Sequence, residues 1–186
     1  MKNRSSLLSL FGLAALLAAG CSTPAPSSST PSTYTAPVGR GAASAATNIT
    51  VNFYDPDRFT DARSSFGGDA DRGYLDSLAE HLRETASSRV KADQKLEVTF
   101  TDIDLAGDFR PDRVQLDDVR IIKDIYRPRM TLKFKLTGAD GKVIKEGDRT
   151  LVDSYFMNNL GLVDRNEPLF YDKAMLETWV RDEFRS

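Results

Sequence analysis

The sequence predicts an α+β domain in which two helices pack on one face of a mainly antiparallel sheet of about five strands. Two observations indicate this class: short segments in which apolar and polar residues alternate, and two longer segments with apolar residues at helical spacing. The elements follow one another as strand, helix, four strands and helix. Helices covering one face of a sheet are the usual two-layer solution for such an order.

The first strand and the first helix are separated by a loop rich in turn residues. Residues 49–53 alternate between apolar and polar, as in a half-buried strand. Apolar residues then recur at helical spacing over residues 74–82, behind the capping candidates Asp69 and Asp71. This helix is predicted to end near Val90.

The middle of the domain contains a strand whose apolar parity changes. Apolar residues stand at the even positions 96, 98 and 100 and then at the odd positions of Ile103 and Leu105. A β-bulge has this effect, because one extra residue turns the following side chains to the other face. The apolar run at residues 119–125 is less regular and is counted as a further strand.

The last part of the domain predicts a hairpin and a helix. Alternation is clearest at residues 130–136, and the Gly-Ala-Asp-Gly turn at residues 138–141 leads into a strand at residues 143–152. The final helix is predicted over about residues 171–184, with Trp179 toward the core.

The N-terminus has the pattern of a secretory signal. Lys2 and Arg4 precede an uncharged stretch at residues 5–19, whose apolar run is about half the ~20 residues that cross a bilayer. Residues 17–21, LAAGC, resemble the lipobox of bacterial lipoproteins. This resemblance implies that the thiol of Cys21 is alkylated with diacylglycerol and that Cys21 becomes the new N-terminus. An ordinary cleaved signal with a chance cysteine is the alternative.

This interpretation divides the chain into three parts. Residues 1–20 are a lipoprotein signal peptide, residues 21–47 are the lipidated cysteine and a disordered Ser/Thr/Pro/Ala tether, and residues 48–186 are one globular domain. The expected partner of the N-terminus is the membrane, reached through its lipid. By the sorting rule of such lipoproteins, Ser22 after the cysteine implies the periplasmic face of the outer membrane.

Composition excludes several classes of function. Cys21 is the only cysteine, so its acylation leaves no thiol for a disulfide, a metal or a nucleophile. The chain carries a net charge of −2, and removal of Lys2 and Arg4 with the signal makes the mature chain more acidic. An acidic domain is a poor binder of phosphate backbones, and no nucleic-acid partner is expected. No phosphate loop or dinucleotide fingerprint occurs, and no cofactor is expected.

Four segments of the domain resemble a known family. They are VNFYDPDRFTD at 51–61, VTFTDIDLAG at 98–107, DIYRPR at 124–129 and YDK at 171–173, the last leading to Trp179. They resemble an exported domain-of-unknown-function family of Gram-negative bacteria, number three thousand and sixteen. The likeness covers nearly the whole domain and implies no catalytic residue. The element order is also similar to small outer-membrane assembly lipoproteins, which is an analogy of fold alone.

Asp102 and Asp104 are the strongest acidic pair. Residues two apart on a strand project from one face about 7 Å apart, a separation suited to acid/base work or to a cation. An EF-hand counted from Asp102 fails, because Ala106 and Arg113 stand where oxygen ligands are required. No metal site is therefore predicted. A solvated strand end is the alternative for this pair. Asp55, Asp57 and Asp61 form a second acidic loop, which could hold a cation if it folded against Asp102, and are read as turn residues.

A stripe of cations is predicted on the strand at residues 129–136. Alternation places Arg129, Lys133 and Lys135 opposite the apolar face, where they form a candidate site for anionic head groups or an acidic envelope protein. The alternative is a solvated face whose lysines pair with Glu146 and Asp148 on the neighbouring strand.

Two further features have a structural explanation. His81, the only histidine, flanks the apolar stripe of the first helix, and no Gly-x-Ser-x-Gly elbow accompanies it. Tyr155 and Phe156, with the aperiodic residues 160–163, are read as a loop that exposes apolar surface.

The N-terminal lipoprotein signal and the absence of a reactive motif together predict a non-enzymatic lipoprotein that binds or scaffolds a partner in the cell envelope. Two alternatives remain open. One is a periplasmic hydrolase that uses Asp102 and Asp104, which requires a cleft and one raised pKa. The other is a small-ligand carrier, which requires an enclosed apolar pocket.

Overall fold

The computed structural model describes residues 30–38, 48–65, 68–109, 119–158 and 167–185, and Pro31–Ser186 forms one compact unit. The predicted α+β class is confirmed, with a five-stranded, mostly antiparallel sheet and two helices. The strands are β1 (Thr33–Thr35), β2 (Ile49–Tyr54), β3 (Lys95–Asp104), β4 (Asp108–Phe109), β5 (Arg120–Ile121), β6 (Arg129–Thr137) and β7 (Val143–Val152). The helices are α1 (Arg72–Ser87) and α2 (Phe170–Glu183).

The strand order in the main sheet is β1-β2-β3-β6-β7. Strands β2 and β3 run parallel, with Phe53 opposite Phe100, and every other neighbouring pair in this sheet is antiparallel. The carboxyl ends of β2 and β3 therefore lie at the same end of the sheet as the start of β6 and the end of β7. This end carries the candidate site.

Helix α1 begins where the sequence predicts. The side chain of Asp71 accepts a hydrogen bond of 3.1 Å from the backbone nitrogen of Tyr74, which satisfies one of the free donors of the first turn. Leu75, Leu78 and Leu82 are fully buried against the sheet. The helix ends at Ser87, three residues before the predicted boundary at Val90.

The bulge predicted in β3 is confirmed. The pairing of β3 with β6 shifts between Phe100 and Asp102, and the shift lets both Phe100 and Ile103 enter the core. The same shift returns Asp102 and Asp104 to the polar face, which we call the outer face of the sheet.

The predicted hairpin joins β6 to β7. Gly141 has a φ of 78°, a conformation that glycine adopts without a steric cost, and the backbone nitrogen of Gly138 donates to the carbonyl oxygen of Lys142. The alternation of β6 is confirmed, because its even-numbered residues are buried: Met130, Leu132, Phe134 and Leu136.

Helix α2 closes the core through aromatic contacts. Trp179 is 6% exposed and packs edge-to-face against Phe134 of β6 and Phe184. Glu183 at the end of α2 accepts two hydrogen bonds from Arg149 of β7, of 2.6 and 2.8 Å, and pairs with Lys145 at 2.7 Å. These ion pairs join the helix to the last strand of the sheet.

Two predictions about elements are wrong. Residues 33–35, placed in the disordered tether, form β1, because Tyr34 stacks on Phe53 and Arg83 donates to the carbonyl oxygen of Ala36. The apolar run at residues 119–125 contributes only β5, which pairs with β4 in a separate two-stranded sheet. Residues 1–29 and 39–47, with Cys21 and most of the tether, lie outside the described residues.

No helix in the described part of the chain is both long and apolar enough to cross a membrane.

Candidate functional site

A cleft of about 530 Å³ lies at the end of the sheet where β3 finishes and β6 begins. Its walls combine aspartates, arginines and a few apolar side chains. The lining residues are Thr60, Asp61, Arg63, Asp104, Leu105, Gly107, Asp108, Ile125, Tyr126, Arg127, Arg129 and Val152. An open cleft with both charges suits a polar partner better than it suits an apolar ligand.

Asp61 forms the inner wall of this cleft, and its carboxylate pairs with Arg120, which is not itself a lining residue. Asp61 lies beside the end of β3, since its backbone nitrogen donates to the carbonyl oxygen of Ile103 and its own carbonyl accepts from Leu105. Its carboxylate oxygen Oδ2 accepts a hydrogen bond of 2.8 Å from Nη1 of Arg120. The side chains of Asp61 and Arg120 are 13% and 15% exposed, so each charge is largely withdrawn from water and depends on the other.

Arg120 also holds the surrounding loops together. Its guanidinium donates to the carbonyl oxygens of Gly107, at 3.1 Å, and of Arg63, at 2.9 Å, and lies 4.5 Å from the centre of the Phe109 ring. One side chain thereby joins the loop before α1, the turn after β3 and the short strand β5. The shape of the cleft depends on it.

Gly107 permits the close approach of these segments. It has a φ of 87°, and a Cβ atom built on it would lie 2.6 Å from Cδ1 of Ile122. Neither the backbone conformation nor the space admits a side chain. Its backbone nitrogen donates to the carbonyl oxygen of Tyr126, which lines the cleft.

Asp102 and Asp104 share one face of β3, as the sequence predicts, and both pair with Arg129. The carboxylate oxygens of Asp102 and Asp104 lie 3.5 and 3.8 Å from Nη2 of Arg129. Asp102 also accepts hydrogen bonds from the backbone nitrogen and the hydroxyl of Thr60. Burial raises the pKa of Asp104, against the opposing effect of Arg129.

The cleft does not present the two carboxylates equally. Asp104 is among the lining residues and Asp102 is not. Both carboxylate oxygens of Asp102 accept hydrogen bonds from Thr60. A two-carboxylate hydrolase needs an acid and a second carboxylate on either side of one substrate bond. Asp104 lines the cleft and has a raised pKa, as the acid of such a pair requires.

Sequence reasoning missed Asp172, the most buried acid of this region. It lies in the first turn of α2, is 2% exposed, and accepts a hydrogen bond of 3.1 Å from the backbone nitrogen of Ala106. Burial raises its pKa to about 7, although the Ala106 hydrogen bond and the charge of Arg120 act in the opposite direction. An aspartate in the first turn of a helix is ordinary, so no pattern in the sequence marks this one.

The predicted cation stripe lies on the outer face among acids. Lys133 pairs with Asp148 of β7 at 3.6 Å, as the alternative of a solvated face expected. Arg129 is shared by the two aspartates of β3. Lys135 stands in register between Glu97 and Glu146. The stripe therefore belongs to a surface of mixed charge.

The remaining candidates have structural roles. Nε2 of His81 lies 3.1 Å from the carbonyl oxygen of Lys173, and burial lowers the pKa of the imidazole. Phe156 is fully buried against Tyr171, contrary to the expectation of an exposed pair, whereas Tyr155 is 78% exposed. Residues 160–163 lie outside the described part of the chain.

Apolar side chains stand exposed beside the cleft. Ile125 is 66% exposed and Val152 is 50% exposed, and both line the cleft. Tyr155 follows two residues after Asp153, whose backbone nitrogen donates to Pro128 just before β6. Among the described residues, no group of three or more His, Cys, Asp or Glu side chains is placed to hold a metal ion.

A family model matches residues 47–182, which is nearly the whole of the globular unit. Its description is "Protein of unknown function (DUF3016)". No curated protein matches the chain. The segment that forms β1 precedes the matched residues.

Proposed function

Since the chain belongs to the family of proteins of unknown function DUF3016, we propose that it is a lipid-anchored, non-enzymatic binding module of the cell envelope. The cleft at the end of β3, together with the adjoining outer face, forms its binding surface. The observation that carries the proposal is the state of Asp61, Asp102 and Asp104, which are engaged by arginines or a hydroxyl of the protein itself.

The anchor is supported by the N-terminal sequence. A basic start, a short apolar run and small residues precede Cys21. Two or more acyl chains on one residue make a stable membrane anchor, whereas a single chain binds only marginally. Ser22 favours transport to the outer membrane, where the domain faces the periplasm.

Binding is supported over catalysis by the geometry of the carboxylates. Asp61 is neutralised by Arg120, and Asp102 is held by Thr60 and Arg129. Carboxylates whose oxygens are held by the protein's own donors are fixed in place and are not free to reach a substrate, which suits a structural wall.

The partner is expected to be an envelope protein with a polar segment. The cleft lining contains three aspartates and three arginines, so neither charge dominates. Arg63, Arg127 and Arg129 retain exposed guanidinium surface beside Ile125 and Val152. Arginine together with apolar side chains is the composition that interface centres favour. Arg129 also joins the cleft to Lys133 and Lys135 on the outer face.

The anchor is tested by Cys21→Ala in the full chain. We expect labelling with radioactive palmitate to disappear and the protein to leave the membrane fraction. Cys21 is the only cysteine, so the variant changes no other thiol. A processed variant that stays in the membrane fraction would contradict lipid anchorage.

The binding surface is tested by affinity capture with the full-length protein from detergent-solubilised membranes. Arg127→Glu reverses an exposed charge, and the wild-type side chain donates a long hydrogen bond of 3.3 Å to the hydroxyl of Ser154, so the fold should be retained. We expect it to reduce recovery of the captured envelope protein at least fivefold. Lys142→Glu, in the hairpin turn at the far end of the sheet, is the matched control. Equal loss of capture in both variants would contradict the assignment of the surface.

The hydrolase alternative keeps one supporting observation, the raised pKa of Asp104 within the cleft. Asp104→Asn removes the acid while keeping its size. A hydrolytic activity toward any envelope polymer that this variant abolishes would replace binding with catalysis.

A further inference from the structure

Strand β1 determines the end of the sheet at which the chain enters it. It pairs antiparallel with β2, with Thr33 opposite Tyr54, and the carbonyl oxygen of Ser32 accepts a hydrogen bond of 2.6 Å from Asp55. The chain therefore enters beside the carboxyl end of β2. Without β1 it would enter at Ile49, at the opposite end of the sheet.

The protein holds β1 through contacts on both sides of its backbone. The Tyr34 hydroxyl donates a hydrogen bond of 2.7 Å to Asp76, and its ring packs on Phe53. Arg83, 2% exposed, donates to the carbonyl oxygens of Ala36 at 2.7 Å and Pro37 at 2.9 Å. A buried guanidinium bound to carbonyl oxygens is costly to leave unsatisfied, so release of β1 is opposed.

The point of entry lies at the end of the sheet that contains the cleft. The carboxyl ends of β2 and β3 coincide because these strands are parallel, and Asp61, an inner-wall residue of the cleft, bridges to the end of β3. The β6–β7 hairpin lies at the other end, about 33 Å away along the ten residues of β3.

The covalent distance from Cys21 to Ser32 is short on this scale. Ser32 is eleven residues after Cys21, which gives a fully extended limit of about 40 Å. This limit exceeds the ~33 Å length of the sheet by only about 7 Å. An orientation with the hairpin end on the bilayer would require the chain to stretch along the whole domain.

We propose that β1 orients the domain on the membrane: it brings the lipid anchor out at the cleft end, so that the cleft and its rim face the lipid head groups. This inference rests on the lipid anchor of the proposed function. Tyr155, Ile125 and Val152 are exposed at this end. Tyrosine and aliphatic side chains are favoured at the interface of a bilayer. The binding surface then takes its partner from the membrane side.

The orientation is measured by paramagnetic relaxation in lipid vesicles. The processed chain, residues 21–186, is coupled through Cys21, its only cysteine, to a maleimide lipid. Vesicles with and without a gadolinium-chelating head group are compared by the signal loss of backbone amides. We expect at least a threefold greater relaxation rate for Ile125 and Tyr155 than for Asp140 and Gly141 in the hairpin turn.

Two altered chains test the role of β1 itself. The double substitution Tyr34→Ala and Ala36→Pro removes the ring contact and a backbone hydrogen bond to Val51, so the anchor should connect through Ile49 and the preference should vanish or invert. The second keeps β1 intact and adds about 20 Gly/Ser residues after Cys21, which raises the fully extended limit to about 110 Å and should weaken the preference without inverting it.

The outcomes separate this inference from lipid anchorage. Equal relaxation at both ends in the parent chain, or a preference that survives the release of β1 in a folded variant, would overturn the orienting role. The thermal transition of Trp179 fluorescence checks that each variant is folded. Because the anchor is attached chemically, failure of Cys21 to be acylated in cells would remove the proposed function and leave this measurement unaffected.

Discussion

Arg120 donates a hydrogen bond of 2.8 Å to Asp61 although 59 residues separate them in the chain. Both side chains are largely buried, and Asp61 lines the cleft. Breaking such a pair leaves one charge without a partner in a poorly solvated place, and this costs more than the intact pair contributes.

Arg120→Ala is expected to lower the free energy of unfolding by about 3 kcal/mol, because the Asp61 carboxylate loses its nearer partner and keeps only Arg63, at 3.6 Å. Urea denaturation at pH 7 measures the change. Arg129→Ala is the control, since the side chain of Arg129 is 45% exposed and its ion pairs should contribute less than about 1 kcal/mol. Equal losses in the two variants would contradict the role of Arg120.

The fully buried Asp172 predicts an unusual dependence of stability on pH. Its pKa is raised to about 7 in the folded protein from 3.8, so between these values the folded state binds more protons than the unfolded state. Its contribution to stability is therefore greatest below pH 4 and declines as the pH rises to about 7, by up to about 1.4 kcal/mol per pH unit. Unfolding measured from pH 4 to 8 should show this decline.

Asp172→Asn is the matched variant for this effect. The amide oxygen keeps the hydrogen bond from Ala106 and does not ionise. We expect the variant to be more stable than the parent at pH 8 and to lose most of the decline. A variant with the same pH profile as the parent would show that Asp172 is not the group responsible.

Glu183 has the opposite effect on the dependence of stability on pH. Its hydrogen bonds with Arg149 lower its pKa to about 2 from 4.5. The stabilisation of the folded state by this ion pair is therefore present above about pH 4.5 and is lost as the pH falls toward 2. Glu183→Gln should lower the thermal midpoint at pH 7 and lower it much less at pH 2.5, where most of this stabilisation has been lost. An equal shift at both values would mean that packing and not charge explains the effect.

The pattern of alternation was sufficient for the strands whose two faces differ. The bulge of β3 follows from side-chain parity, and the hairpin of β6 and β7 follows from the alternation of β6 together with the turn residues 138–141. Strand β1 does not, because three residues in a Ser/Thr/Pro segment carry no periodicity and are held by Arg83 and Tyr34 through distant partners.

The candidate site shows the same limit. The shared face of Asp102 and Asp104 was predictable from their spacing of two on a strand. The buried acids were not, because Asp61 and Asp172 approach Arg120 and Ala106 only after the chain has folded. Sequence reasoning therefore predicted the two carboxylates at the end of β3 but not the buried acids beside them.

Gly107→Ala tests the close packing behind the cleft. The new methyl would lie 2.6 Å from Ile122, and the residue has a φ of 87°. Gly141→Ala is the control, because it has a similar φ of 78° but no neighbour within 4 Å. The control should lose about 1 to 2 kcal/mol from backbone strain alone, and Gly107→Ala should lose clearly more by urea denaturation. Equal losses would show that the neighbours move aside.

The central claim is that the cleft end binds a partner in the envelope, and photo-crosslinking in living cells tests it most directly. A photoreactive amino acid replaces Ile125 at the rim of the cleft or Asp140 in the hairpin turn, both of them exposed. Illumination of cells producing the full-length protein should give one discrete crosslinked envelope protein from position 125, at least tenfold above position 140. Arg127→Glu in the same chain should remove it. Equal yields from both positions, or a product that Arg127→Glu leaves unchanged, would contradict the account.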